Sequence, residues 1–176
     1  MFLLTDEMIC EYDKHHLLGI QPLDRNFLHP TYYYFRLGAM VKVWNEQLKK
    51  FVPEDISEPG NNVLTLQPHA YVLVVSYERF DCTKRVRAEL GQITRLPMKG
   101  LELLHGPTVD PGFSGQLQMA ITNHLSIQRE LGYAEPIGKI SFYDVSDTYP
   151  IGDIKGTVSE DTYARRGKAT EPEPAE

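Results

Sequence analysis

The strongest constraint in this chain is a succession of short β-prone runs, each closed off by residues that turn the backbone. Tyr32 to Phe35 (YYYF) is an aromatic run, and Met40 to Trp44 (MVKVW) alternates with a period of two. Pro53 to Asn62 gathers Pro, Glu, Asp, Ser, Gly and Asn and reads as a loop. Strands are expected at Val63–Leu66, Ala70–Tyr77, Val86–Leu90, Leu101–Leu104, Gln116–Thr122 and Ile137–Val145. The run at Ala70–Tyr77 (AYVLVVSY) is apolar enough for a strand buried on both faces. Ser126–Leu131 fits either a strand or a loop. Pro97 to Gly100 breaks the chain, and Asp110-Pro-Gly-Phe113 is a turn: proline suits its second position and glycine takes positive φ. Short strands at regular spacing with turn chemistry between them predict an all-β sandwich or barrel.

One helix precedes the strands. Thr5 to Leu18 has Thr5 as cap, Asp6 and Glu7 in the first turn, where the helix dipole favours negative charge, and Met8, Ile9 and Tyr12 as an apolar stripe. Lys14, His15 and His16 suit its C-terminus and Gly19 its stop. At the other end the character changes from Thr148. Arg165 to Glu176 (RRGKATEPEPAE) has no apolar side chain beyond alanine and proline and cannot bury enough surface by itself to offset its ordering entropy. The 176 residues therefore divide into a β domain with its helix, 1–147, and a C-terminal arm, 148–176. The arm's expected use is contact with a neighbour.

Charge and cysteine usage narrow the function classes. Lys and Arg number 18 against 24 Asp and Glu, a net charge of -6, which argues against a broad nucleic-acid-binding face. Two cysteines, Cys10 and Cys82, are too few for a secreted disulfide framework and read as buried small side chains. No run approaches the roughly 20 apolar residues of a membrane span, and the N-terminus lacks signal-peptide organisation. The expected location is cytoplasm or virion. His29, His69, His105 and His124 are scattered and suggest no metal site. Lys84, Arg85 and Arg87 form a basic cluster; on a strand Arg85 and Arg87 would share a face and meet an acidic partner, such as an acidic tail of the kind this chain carries. Tyr32 to Phe35 would put two aromatics on each side of a strand, for packing within the core or between subunits.

Four segments carry a resemblance. Leu28-His-Pro-Thr-Tyr-Tyr-Tyr-Phe-Arg-Leu-Gly38 resembles the motif QPASYDLRLG. Leu64-x-Leu66-x-Pro68, with Tyr71-Val-Leu73 and Glu78, resembles LxPGEFVLAxTxE. Gly106 to Gln116 followed by Ile121-Thr-Asn123 resembles AGWIDPGFEGHITLELSN, and Pro136 to Phe142 resembles G-x-x-I-x-Q-x-x-F. In this order, over residues 3–145, they resemble the dCTP deaminase and trimeric dUTPase superfamily. The resemblance implies a distorted jelly-roll β-barrel of the β-clip type, a homotrimer, and nucleotide sites between subunits.

It also implies where the chemistry would sit. In deaminases of this family a glutamate after the DPGF turn moves the protons, and that position is Ala120. A methyl group carries no proton, so general acid–base catalysis there is excluded. The phosphate motif RSSLAR falls on Gln92 to Pro97, where both arginine positions are lost, to Gln92 and Pro97; Thr94 is the one hydroxyl left and Arg95 a displaced cation. The motif's aspartate in the first segment is Tyr34. Asp110 and Phe113 survive; the family uses them to hold sugar and water and to stack on the sugar, yet Asp-Pro-Gly-Phe is also simply a good turn with an aromatic anchor. Three readings follow. The first is a non-catalytic homotrimer used for binding or assembly, for example as a structural component of a viral particle, joined to a larger assembly through its arm and needing no cofactor. The second is a divergent or vestigial nucleotide enzyme acting through Asp110, with Mg²⁺ on the phosphates. The third is a nucleotide sensor using Thr94, Arg95 and Phe113 without chemistry.

Overall fold

Alternating apolar residues build the fold from strands, and a computed structural model describes residues 1–146. In chain order the elements are β1 (Phe2–Leu3), α1 (Asp6–Lys14), β2 (Leu18–Gln21), a 3-10 turn (Arg25–Phe27), β3 (Leu28–His29), β4 (Tyr32–Asn45), β5 (Lys50–Asp55), β6 (Val63–Leu66), β7 (Tyr71–Cys82), β8 (Val86–Gln92), α2 (Arg95–Met98), β9 (Leu101–Leu104), β10 (Thr108–Val109), β11 (Ser114–Asn123), β12 (Arg129–Gly132) and β13 (Pro136–Asp144). The main sheet runs β10-β8-β13-β4-β7-β11-β9, with β1, β2, β3 and β5 pairing onto its members; β12 and β6 form a separate ribbon. All pairings are antiparallel.

β4 is the spine. Its first half, Tyr33 to Arg36, pairs with β13, and its second half pairs with β7 and β5. The curled sheet thus closes over one core, where Phe80 of β7 meets Phe142 of β13 at 6.2 Å between ring centroids. Tyr33, Phe35, Leu37, Val72, Val74, Ile121 and Ile140 are buried around them. The architecture is all-β with a short N-terminal helix. No helix among the described residues is long and apolar enough to cross a membrane.

Several local expectations are corrected. The helix stops at Lys14: His15 caps it and His16 takes φ +57°, the left-handed role expected of Gly19. Gly19 lies inside β2 opposite Asp81, because Leu18 and Ile20 alternate and are drawn into the core beside Cys82 and Phe80. Thr5 makes no side-chain cap bond. Tyr32–Phe35 and Met40–Trp44 are one 14-residue strand, bent by a register shift between Leu37 and Val41. The loop begins later than expected, since Lys50–Asp55 pairs with β4 and Pro53 is tolerated on that edge strand. β7 is buried on alternate residues, not on both faces, and runs on to Cys82. The Pro97–Gly100 break contains the end of a one-turn helix. The ambiguous Ser126–Leu131 stretch divides: Ser126 to Gln128 is loop, and the strand Arg129–Gly132 takes the rest. The expected arm, 148–176, lies outside the described residues.

Candidate functional site

The Asp110–Phe113 turn forms as its chemistry dictates. Phe113 N–H donates to Asp110 C=O at 3.2 Å, and Gly112 takes φ +86°. Two further bonds fasten it to the β7–β8 turn: Gly112 N–H to Thr83 C=O at 3.1 Å, and Cys82 N–H to Phe113 C=O at 2.7 Å. The Phe113 ring packs against the core. Just beyond, Ser114 Oγ bonds Asp81, Arg79 Nη2 reaches Ser114 Oγ, and Arg79 pairs with Asp81 at 3.1 Å.

The phosphate-motif positions lie elsewhere. Val109 sits opposite Ala88, so the register brings Asp110 level with Arg87, near the start of β8. Thr94 lies past the other end of that strand, seven residues on, roughly 20 Å away at about 3.3 Å per residue. One chain therefore does not join Asp110 and Phe113 to Thr94. Gln92 turns its side chain to the sheet, its Oε1 accepting from Leu103 N–H at 3.2 Å. Thr94 is exposed at the start of α2 and makes no side-chain cap bond. Arg95 lies 3.6 Å from Glu135, which also holds Lys99 at 2.9 Å. Burial raises the Glu135 carboxyl, but Lys99, the Gly132 N–H and Arg95 outweigh it and keep the group below its usual range.

Ala120 sits on the outward face of β11, directly between Leu73 of β7 and Leu104 of β9. Neighbouring rows hold Val75 with Gln118, and Tyr71 with Thr122 and Glu102. The face continues across β4 and β5, where Trp44 and Phe51 meet at 5.2 Å and Phe51 reaches Tyr71 at 6.3 Å. Met40, Trp44, Tyr71 and Leu104 on this face are exposed. The row around Ala120 thus offers methyl and methylene groups where acid–base chemistry would need a carboxylate. Among the described residues no three His, Cys, Asp or Glu side chains are grouped to hold a metal.

The basic cluster is arranged differently from expectation. Arg85 precedes β8 in the turn, so it does not share a strand face with Arg87. Its Nε lies 2.7 Å from the buried Asp144 carboxylate, while Arg87 pairs with Glu89 at 3.0 Å. Asp144 also accepts from Tyr12 OH and from Ser146 N–H and Oγ. Burial alone would push its carboxyl up; these donors, with Arg85, hold it well below the usual range.

Sequence reasoning gave no role to the most buried charges. Arg36 Nε donates to Glu78 Oε1 at 2.6 Å, Arg36 N–H donates to Glu78 Oε2 at 2.9 Å, and Tyr33 OH donates to Oε1 at 3.3 Å. The guanidinium lies between the Phe27 and Tyr77 rings, 4.5 and 4.3 Å from their centroids. Burial and the facing Glu78 push the Tyr33 hydroxyl up to about 12. Asn123 is the other hub: its Nδ2 donates to Leu66, Gln67 and Ile127 carbonyls at 3.1, 3.0 and 2.9 Å, and its Oδ1 accepts from Leu125 N–H. The signal for all three was their place in the quoted motifs. Elsewhere, burial and then Asp81 push the Cys82 thiol up to about 12, and His29 stacks on Tyr32 at 4.7 Å.

Comparison with known proteins adds a family. A family model described as dCTP deaminase-like matches residues 3–145. The dUMP-forming dCTP deaminase of Tropheryma whipplei (strain Twist) is 26% identical over 157 residues, covering 82% of this chain and 79% of that protein. The dCTP deaminase of Thermococcus kodakarensis is 29% identical over 123 residues, covering 70% and 74%. Among solved structures, the 2'-deoxycytidine 5'-triphosphate deaminase of Agrobacterium tumefaciens superposes with a TM-score of 0.65 at 14% identity, over 80% of this chain. This chain spans 47% of that protein's length.

Proposed function

The chain belongs to the dCTP deaminase-like family, and from that premise we propose that it is a non-catalytic member, a homotrimer used for binding or assembly. One observation carries this reading: the Leu73–Ala120–Leu104 row, apolar at the position where the resemblance puts the proton-carrying glutamate. The side chains at the two lost arginine positions agree with it. Gln92 is occupied with Leu103 N–H and Pro97 has no donor, so a triphosphate would meet few of the cationic donors it needs. The exposed aromatic face around Trp44, Phe51 and Tyr71 favours a protein surface as its occupant. A component of a larger assembly, such as a viral particle, suits a scaffold kept without its chemistry.

Incubation with dCTP or dUTP plus Mg²⁺, followed by chromatography, tests the proposal. The expected result is no dUTP, dUMP or pyrophosphate above the protein-free control, with a trimer mass by light scattering. Turnover at ordinary enzyme rates abolished by Asp110→Asn would refute it. A second reading, nucleotide binding without chemistry, draws on the retained Asp110–Phe113 turn with Thr94. It requires a thermal shift with a pyrimidine deoxynucleotide, removed by Phe113→Ala.

A further inference from the structure

Beside α2 lies a groove of about 290 Å³ lined by Lys99, Gln128, Arg129 and Glu130. Most arginines are already committed: Arg36 to Glu78, Arg79 to Asp81, Arg85 to Asp144 and Arg87 to Glu89. Arg129 is held differently. Its Nε donates to the Lys99 carbonyl at 2.8 Å, which fixes the guanidinium plane, and among the described residues its Nη groups have no hydrogen bond or ion pair. Glu130 is turned toward Gln128, whose Nε2 lies 3.2 Å from Oε1. Arg95 and Lys99 share the single carboxylate of Glu135. The cluster therefore holds more positive than negative charge. Two exposed apolar side chains directly precede lining residues in sequence, Met98 before Lys99, at 83%, and Ile127 before Gln128, at 54%.

The chain carries a segment of matching chemistry. Glu171-Pro-Glu-Pro-Ala-Glu176 has three carboxylates at short intervals, one proline in each gap between them, and no cation. Cations spaced around Glu135 suit single carboxylates along an extended strand better than the concentrated charge of a triphosphate. Proline rings suit Met98 and Ile127. Reach is ample. Glu135, at the groove, immediately precedes β13, and β13 ends at Asp144, roughly 27 Å away at about 3.3 Å per residue. Residues 147–170 lie between the described chain and Glu171, and a stretch of that length can span up to about 80 Å.

We propose that Glu171–Glu176 of the same chain docks in the groove between α2 and β12, its carboxylates on Arg129 and Lys99 and its prolines against Met98 and Ile127. Docking does not depend on whether the protein is an enzyme. Amide NMR spectra of the full chain are compared with those of a Glu171→Gln, Glu173→Gln, Glu176→Gln variant, which alters nothing in residues 1–146. Shift changes should be confined to residues 95–100 and 127–130 and persist on tenfold dilution. They should shrink in about 0.5 M salt, where the Debye length falls below about 5 Å. Arg129→Gln should reproduce them. Superimposable spectra would overturn the proposal, as would changes centred on Lys84, Arg85 and Arg87, or changes lost on dilution, which would assign the segment to a second copy. Should Arg129→Gln unfold, the glutamine variant alone still decides.

Discussion

Replacing Glu78 by glutamine should cost this fold more than almost any other change of equal size. The carboxylate is fully buried and its partner Arg36 is 10% exposed at the side chain. Glutamine keeps the volume and one acceptor oxygen, but its amide nitrogen then faces either Arg36 Nε or the Arg36 N–H, both donors. A charge-assisted bond contributes about 1.5–3 kcal/mol, and removing one partner of a buried ion pair costs about 3–5 kcal/mol. Asp24, 3.8 Å from Nη1 and partly exposed, offsets part of the stranded charge, which places the expected loss near 3 kcal/mol. With a urea m-value of about 2 kcal/mol/M the midpoint falls by roughly 1.5 M. The double variant Arg36→Met with Glu78→Leu removes both charges together and should be less destabilised than Glu78→Gln alone. Tyr33→Phe should cost only about 1 kcal/mol. A Glu78→Gln loss below about 1 kcal/mol, or a double variant showing the sum of its singles, would refute the view that the pair acts as one buried unit.

Other outcomes follow from single contacts. Gly38→Ala places a Cβ 2.6 Å from the Ser76 carbonyl oxygen, which is backbone and cannot swing aside; a urea melt should show a loss of at least about 3 kcal/mol, against about 0.5 kcal/mol or less for Gly106→Ala, where nothing lies within 4 Å. Asn123→Ala strands three carbonyls and one N–H and should cost about 2–4 kcal/mol by the same assay. Asp144 has a depressed folded-state pKa, so its contribution is complete above the unfolded value of about 3.9 and is lost as pH falls toward the folded one. Asp144→Asn should therefore destabilise clearly at pH 7, and its melting temperature should converge on that of the wild type as pH drops below about 4.

What the sequence disclosed and what it hid follow one physical division. Strands announced by local alternation, such as Val63–Leu66 and Gln116–Thr122, were legible because each residue's burial depends on its immediate neighbours. Lys50–Asp55 was not, since Pro53 and two acids oppose a strand locally and only pairing with β4 makes one. The helix end was misplaced for the same reason: Leu18 and Ile20 continue an apolar pattern that β7 captures as a strand. At the site, the loss of a proton carrier at Ala120 could be seen from the motif. Its flanking by Leu73 and Leu104 could not, because it depends on the register of three strands. The Arg36–Glu78 pair spans 42 positions, and nothing in either segment alone names the other.

The positions that carry the family resemblance fall into two sets with different physical costs. Arg36, Gly38, Glu78 and Asn123 keep the motif residue, and each is held by burial or by a close approach; a Cβ at Gly38 would lie 2.6 Å from the Ser76 carbonyl oxygen. Of the changed positions, Gln92, Thr94 and Pro97 sit at a strand end or on a one-turn helix, where substitution costs the fold little, while Ala120 lies on the outward face of β11 but is buried between its neighbours. Fold and chemistry can thus separate, and the separation predicts what restoring one residue achieves. Ala120→Glu places a carboxylate between two leucines, with the cation of its row, Lys42, one strand further on beyond Leu73, so desolvation raises its pKa. Neither water nor a cytosine amine gains a polar place to sit. The variant should fold with a loss of about 1–3 kcal/mol and release no dUTP or dUMP from dCTP above the wild type. Turnover from Ala120→Glu alone would mean that the rest of a nucleotide site is intact, and the non-catalytic reading would fall with it.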